Sequence, residues 1–360
     1  MATRSILLVS LLFAGFLAAG CGTSATDHDD DHDHTESPLP ETVPIPAIAF
    51  DALYVVNGGD SSISVINTET NTVAGTIRLK NISYPHHISL TPDRSALLVA
   101  ILGQDLSGGH SHSGHGGGAA AYLLMMDATT GTLRESRKLD HPAHNAVMTP
   151  TGSSVWAAQS ATAGTVLVLD PVLLGTRSTV SVGEMPLEVT MTPNGQYAFV
   201  ANNASDNVTV IDVVGKSIVK TIAVGDGPVG AWPGSNGVMY VDNETGKTVT
   251  AIDATTLQTI RTYNLGFTPA MATVAPDTTL WITDVENGKV AIFSTERDEK
   301  IGEITVGAGA HGIAFSGDGK TAYVSNQNAG TVSVIDVATR SVSTTIAVGA
   351  KPNGIVWRKG

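Results

Sequence analysis

The residues of this chain best suited to chemistry are its histidines, eleven among 360 residues, and they fall into groups. Three stand in an acidic stretch near the N-terminus (His28, His32, His34) and three in a glycine- and serine-rich run (His110, His112, His115). Five stand where strand-like segments begin (His86, His87, His141, His144, His311). Imidazoles are common donors for zinc, copper or nickel, and three of them leave a coordination position for water, an acidic residue or an incoming ligand. The sequence lacks the signatures of other chemistries. It has no Cys-x-x-Cys-His for covalent haem, no Gly-x-x-x-x-Gly-Lys phosphate loop and no Gly-x-Ser-x-Gly nucleophile elbow. Asp170, Asp212, Asp253 and Asp336 recur at the ends of strand-like runs and read as turn residues that bind local backbone.

Histidines this far apart can cooperate only if the fold brings them together. Residues Ala310 to Gly349 show its unit: four short runs rich in Val, Ile, Thr and aromatics, each closed by Gly, Asn or Asp, hence a four-stranded antiparallel meander. One such sheet cannot bury both faces and needs copies of itself. The bulky residue leading the second strand recurs at Tyr54, Leu98, Trp156, Phe199, Tyr240, Trp281 and Tyr323, in steps of 44, 58, 43, 41, 41 and 42 residues. A period near 42 with four strands per unit predicts propeller blades, and the one long step is an inserted loop. The first unit lacks a first strand, whereas the last is followed by an orphan, Pro352 to Trp357. Trp357 stands 42 residues after Phe315. The expectation is an all-β, seven-bladed β-propeller over residues 46–360, closed by the C-terminal strand joining blade one, so that no inner edge stays open.

Tyr54-Val55-Val56-Asn57, Phe199-Val200-Ala201-Asn202, Tyr240-Val241-Asp242-Asn243 and Tyr323-Val324-Ser325-Asn326, each followed by a Gly or Asp turn and a Val-rich strand ending in Ile-Asp, resemble the YVTN β-propeller repeat family. That family includes surface-layer-type repeats and YncE-like periplasmic propellers. The resemblance covers about residues 50–360 and speaks for fold more than function, since propellers host binding, scaffolding and enzymatic activities. Blades two and three depart from the motif, with Leu98-Val99-Ala100-Ile101 and Trp156-Ala157-Ala158-Gln159, which marks them for specialisation.

In the first strands one register slot holds His86, His144, Leu187, Ala270 and His311, with Asn353 matching in the closing strand and Val229 as the counterpart in blade five. First strands line a propeller's central channel, and their first residues lie at one mouth. The loop of residues 108–118 joins the second and third strands of blade two, so the meander places it over that same mouth. A metal site of His86, His144 and His311, with His87 and the loop histidines His110, His112 and His115 nearby, is the expectation.

Residues 1–20 carry one positive charge, Arg4, and an apolar run from Ile6 to Leu17 too short to span a membrane, which reads as an export signal. It ends Leu17-Ala18-Ala19-Gly20-Cys21, resembling a bacterial lipobox in which the Cys thiol is acylated. Cys21 is the only cysteine in the chain, so an internal disulfide is excluded and lipidation accounts for it. Gly22 after it resembles lipoproteins sorted to the outer membrane. Residues 21–45, rich in Asp, His and Pro, read as a disordered tether. The formal net charge of −13 argues against nucleic acid, whose binding is dominated by cationic contacts.

Taken together, these features read as an envelope lipoprotein, periplasm-facing or surface-exposed, that binds zinc or copper and meets a protein partner or metal acceptor. Its tether histidines are weaker ligands. Two alternatives stay open. One is an interaction scaffold with no metal role; the other, implied by the resemblance, is a lactonase-like or haem d1-type propeller enzyme.

Overall fold

The computed structural model describes residues 38–106 and 119–360, and these form a seven-bladed propeller of antiparallel sheets. The Pro352–Arg358 strand pairs with Ala52–Asn57 and supplies the innermost strand of blade one. Second strands are buried on both faces, as in Ala52–Asn57 and Ala96–Ile101, because each blade is sandwiched between two neighbours. Fourth strands such as Ser217–Ala223 are largely exposed. The core is correspondingly divided into seven apolar clusters, one at each blade interface. Tyr54, Ile63, Leu97 and Leu124 fill the seam of blades one and two, and Leu53, Tyr323, Val332 and Val334 fill that of seven and one. Full burial of one such side chain contributes about 1.5–3 kcal/mol, so a blade without neighbours would forfeit most of its stability.

The repeated asparagines act as clamps inside blades one, four, five and seven. Nδ2 of Asn57 donates to the hydroxyls of Ser62 and Ser64, that of Asn243 to Thr248 and Thr250, and that of Asn326 to Thr331 and Ser333, fixing the hairpin register. The strand-ending aspartates are turn residues, as expected. Oδ1 of Asp170 accepts the N–H groups of Val172 and Leu173, and that of Asp253 those of Thr255 and Thr256, which holds both carboxyls below the usual range.

Blade one departs from expectation by having five strands. Glu41–Val43 pairs with the end of Thr72–Lys80 on its outer edge, while Ile45, Ile48 and Phe50 pack against the core between blades one and two. The tether boundary at residue 45 is therefore corrected: the chain is engaged from Leu39, whose carbonyl accepts from Asn81 Nδ2 at 2.8 Å. The physical reason is that a three-residue strand between Pro40 and Pro44 can pair along one side with the outer strand of blade one and cover that edge. Cys21, His28, His32, His34 and the loop histidines His110, His112 and His115 lie outside the described residues.

Candidate metal centre

Every first strand but that of blade three begins with an interruption of its ladder. In blade two the pairing passes from Pro85–Ile101 to Ile88–Val99, so three residues advance on one strand against two on the other, with His86 and His87 in the gap. Blades four, six and seven and the closing strand repeat it, skipping Leu187 and Glu188, Ala270 and Met271, His311 and Gly312, and Asn353 and Gly354. Such a bulge breaks the alternation of faces and frees two consecutive side chains from the usual up-down rule. Blade five pairs Pro228 with Asn243 and Ala231 with Val241, which makes Val229 the counterpart of His86. In blade three the strand is reduced to Val147–Met148, and His144 and Asn145 precede it. The Asn145 side chain ties this segment to the first strand of blade four instead: its Oδ1 accepts from Val189 N at 3.1 Å and its Nδ2 donates to Val189 O at 3.2 Å.

These bulges bring three imidazoles and a carboxylate together. The ring centroid of His86 lies 4.6 Å from that of His87 and 4.3 Å from that of His144. One ligand nitrogen from each of the three falls within 4.8 Å of the others. Glu188, from blade four, places Oε1 3.1 Å from His87 Nε2 and 3.7 Å from His144 Nδ1; Asn145 Nδ2 donates to Oε2 at 3.4 Å. On the other side, Asn353 Nδ2 stands 3.0 Å from His86 Nε2. The close fit of the closing strand requires Gly354, where a Cβ would come within 2.8 Å of His87 Cα. Gly230 has the same role for Trp232, whose indole lies 2.8 Å from where a Cβ would stand. That indole sits 6.2 Å from the His87 ring and donates to Asp242 Oδ1 at 2.6 Å.

The two buried acids take opposite charge states. Burial pushes the Glu188 carboxyl up, but the imidazoles of His87 and His144 outweigh it and bring its pKa down to about 2. Asp242 has no such cation. Burial, reinforced by the charges of Glu188 and Glu244, raises its pKa well above the usual value despite the indole bond. The cluster thus presents nitrogen donors and one ionised oxygen donor beside a neutral acid. Tetrahedral zinc with bonds of about 2.0–2.1 Å holds its donors about 3.3 Å apart. Side-chain rotations of the order of an ångström bring the three nitrogens to that spacing, so the donor set fits a borderline divalent metal.

A family model for YncE-like β-propellers matches residues 124–360. The chain belongs to the YncE-like β-propeller family. No curated protein matches the sequence. Among solved structures, the Pseudomonas aeruginosa periplasmic gluconolactonase PpgL is similar at 18% identity, covering 85% of this chain and 98% of its own, with a TM-score of 0.70. A putative 6-phosphogluconolactonase from Bacteroides fragilis shares 18% identity over 88% of this chain and 100% of its own, TM-score 0.66. The dihydro-heme d1 dehydrogenase NirN shares 11% over 88% and 79%, TM-score 0.61. At these identities the likeness is one of fold.

In this YncE-like propeller the matched region begins inside blade two, after His86 and His87, so half of the cluster lies on a part of the ring outside the match. Of the residues singled out from sequence, His86, His87 and His144 come together. His311, its ring centroid 6.2 Å from both His86 and His87, is not in the group of three. Glu188, Asn145 and Asp242 were missed. A signal for the first two existed one position beyond the slot that was followed, where blades two, three and four read His87, Asn145 and Glu188 while most others carry Gly. The inserted loop springs from the same mouth: Ala119 N donates to Gly103 O at 2.9 Å, and Leu102 N to Tyr84 O at 3.1 Å, beside Pro85 and His86.

Proposed function

We propose that this protein is an envelope-anchored binding protein that holds one zinc or copper ion at a channel mouth through His86, His87 and His144, with Glu188 as an oxygen donor. The observation that carries the reading is the meeting of three imidazoles from two blades, ligand atoms within 4.8 Å, with a buried carboxylate kept ionised beside them. A buried carboxylate among imidazoles is costly unless a cation balances it, and exchange of protons for a metal supplies that cation. Cys21 after Leu17-Ala18-Ala19-Gly20 supports a lipid anchor, and the histidines of the tether and of the loop would add weaker metal donors. A protein that accepts the metal is the partner this reading implies. The names of the structural neighbours suggest lactone or haem chemistry, but they rest on likeness of fold and this chain's cluster is a metal-type donor set.

The test is titration calorimetry with zinc and with copper(II) on protein made without a histidine tag. One tight equivalent is expected for the native chain and none for the His86→Ala/His87→Ala/His144→Ala variant. A tight equivalent that survives in that variant would place the metal elsewhere, and absence of binding by the native chain would leave the scaffold reading in its place.

A further inference from the structure

Resting on the metal reading, we propose that Asn353, on the closing strand, is a positioning residue that selects the tautomer of His86 and turns its side-chain amide when metal binds. Asn353 is 2% exposed, and its Nδ2 stands 3.0 Å from His86 Nε2. An amide nitrogen carries only hydrogens, so in this arrangement Nε2 is the lone-pair nitrogen and the ring proton sits on Nδ1. The two ring nitrogens point in nearly opposite directions. With Nε2 turned toward Asn353 of the closing strand, Nδ1 would be the nitrogen offered to a metal shared with His144, whose ring centroid lies 4.3 Å away. The nitrogen on the metal side therefore holds a proton, and the one with the lone pair is engaged by Asn353.

Ligation reverses both assignments. The proton leaves Nδ1, whose lone pair goes to the metal, and a proton is carried on Nε2 instead. Nε2–H then needs an acceptor. Asn353 Oδ1 is buried and has no hydrogen-bond partner, so a half-turn of the amide presents it to Nε2–H without moving the backbone. A metal-bound histidine commonly gives its other N–H to a carbonyl or carboxylate, and loss of that acceptor weakens metal binding by about 10–100-fold. One residue thus satisfies the imidazole in two states, the amide oxygen taking the place of the amide nitrogen as its partner.

The experiment is nitrogen NMR of 15N-histidine-labelled full chain with and without zinc, together with zinc calorimetry on Asn353→Leu and Asn353→Asp. His86 should be protonated on Nδ1 in the metal-free protein and coordinate zinc through Nδ1 when loaded. Asn353→Leu should bind zinc at least tenfold more weakly. Asn353→Asp, which can only accept, should hold Nε2–H before metal arrives and bind at least as tightly as the native chain. Coordination through Nε2, native affinity in the Leu variant, or an Asp variant as weak as Leu would overturn the inference while leaving the metal reading standing. A native chain that binds no zinc would overturn both. The native-protein spectra decide the matter even if Asn353→Leu fails to fold.

Discussion

Nε2 of His87 stands 3.1 Å from Oε1 of Glu188, joining the first strands of blades two and four across the approach of blade three. The contact makes a carboxylate at 1% exposure part of an imidazole cluster. It also sets the electrostatics from which the next prediction follows.

Glu188 has a folded-state pKa of about 2, below the ~4.3 of an unfolded chain, so its ionised form is favoured by folding. The stability it contributes is present above about pH 4.3 and lost as pH falls toward 2. Urea unfolding at a series of pH values should show this loss in the native chain, and the Glu188→Gln variant should lack that part of the slope. The same variant should bind zinc more weakly at pH 7, as expected on removal of an anionic donor.

Asp242 has the reverse sign. Its raised pKa means that its contribution is complete below about pH 3.9, where both states are protonated, and declines as pH rises toward the folded value, because only the unfolded chain then ionises freely. Asp242→Asn should therefore be more stable than the native chain at pH 7. The two should converge below pH 4. Equal melting temperatures at pH 7 would contradict this.

Within the cluster the histidines should not be equivalent. His86→Ala, His87→Ala or His144→Ala should each abolish the tight metal equivalent, and a second change should add little, because a site missing one ligand has lost its geometry. His311→Ala should keep it, since His311 is not in the group whose ligand atoms fall within 4.8 Å of one another. Calorimetry on the four single variants checks the order.

Ring closure has its own signature. Deleting residues 352–360 strips the partner from Ala52–Asn57 and removes Trp357 and Ile355 from the seam of blades seven and one. The truncated chain should unfold without a single cooperative transition or aggregate through the bared edge. A native-like thermal melt would be the contrary result.

For the anchor, Cys21→Ser should move the protein from the membrane fraction to the soluble fraction of cell extracts or block its processing. Native protein recovered without detergent in the soluble fraction would argue against acylation.

The ring and its closure were legible because hydrophobic patterning repeats with the blade: Trp357 falls 42 residues after Phe315 whether or not one knows the fold. The cluster was legible only in part. Following a single slot assumes that neighbouring residues face opposite ways, and the shared bulge defeats that assumption by freeing two residues together. His87 and Glu188 enter the site through it, while His311, in the expected slot, is followed by Gly312 and falls outside the close group. The Glu41–Val43 strand was hidden for a different reason. Three residues flanked by prolines have no period to detect.

The closing strand also orders events in time. Asn353 meets His86 across 267 positions, and Ala350 N meets the Asp60 carboxylate across 290, so blade one stays incomplete until nearly the whole chain is available. The remaining blades are built from local hairpins that can form early, whereas this last pairing must await the slowest kind of contact, one of very long sequence separation. The entropic cost of such closure grows only with the logarithm of the separation, so the delay is kinetic rather than a burden on the finished fold. The cluster beside His86 is therefore complete only in a ring that has closed. A chain arrested a few residues short would carry six whole blades, every histidine, and no Asn353.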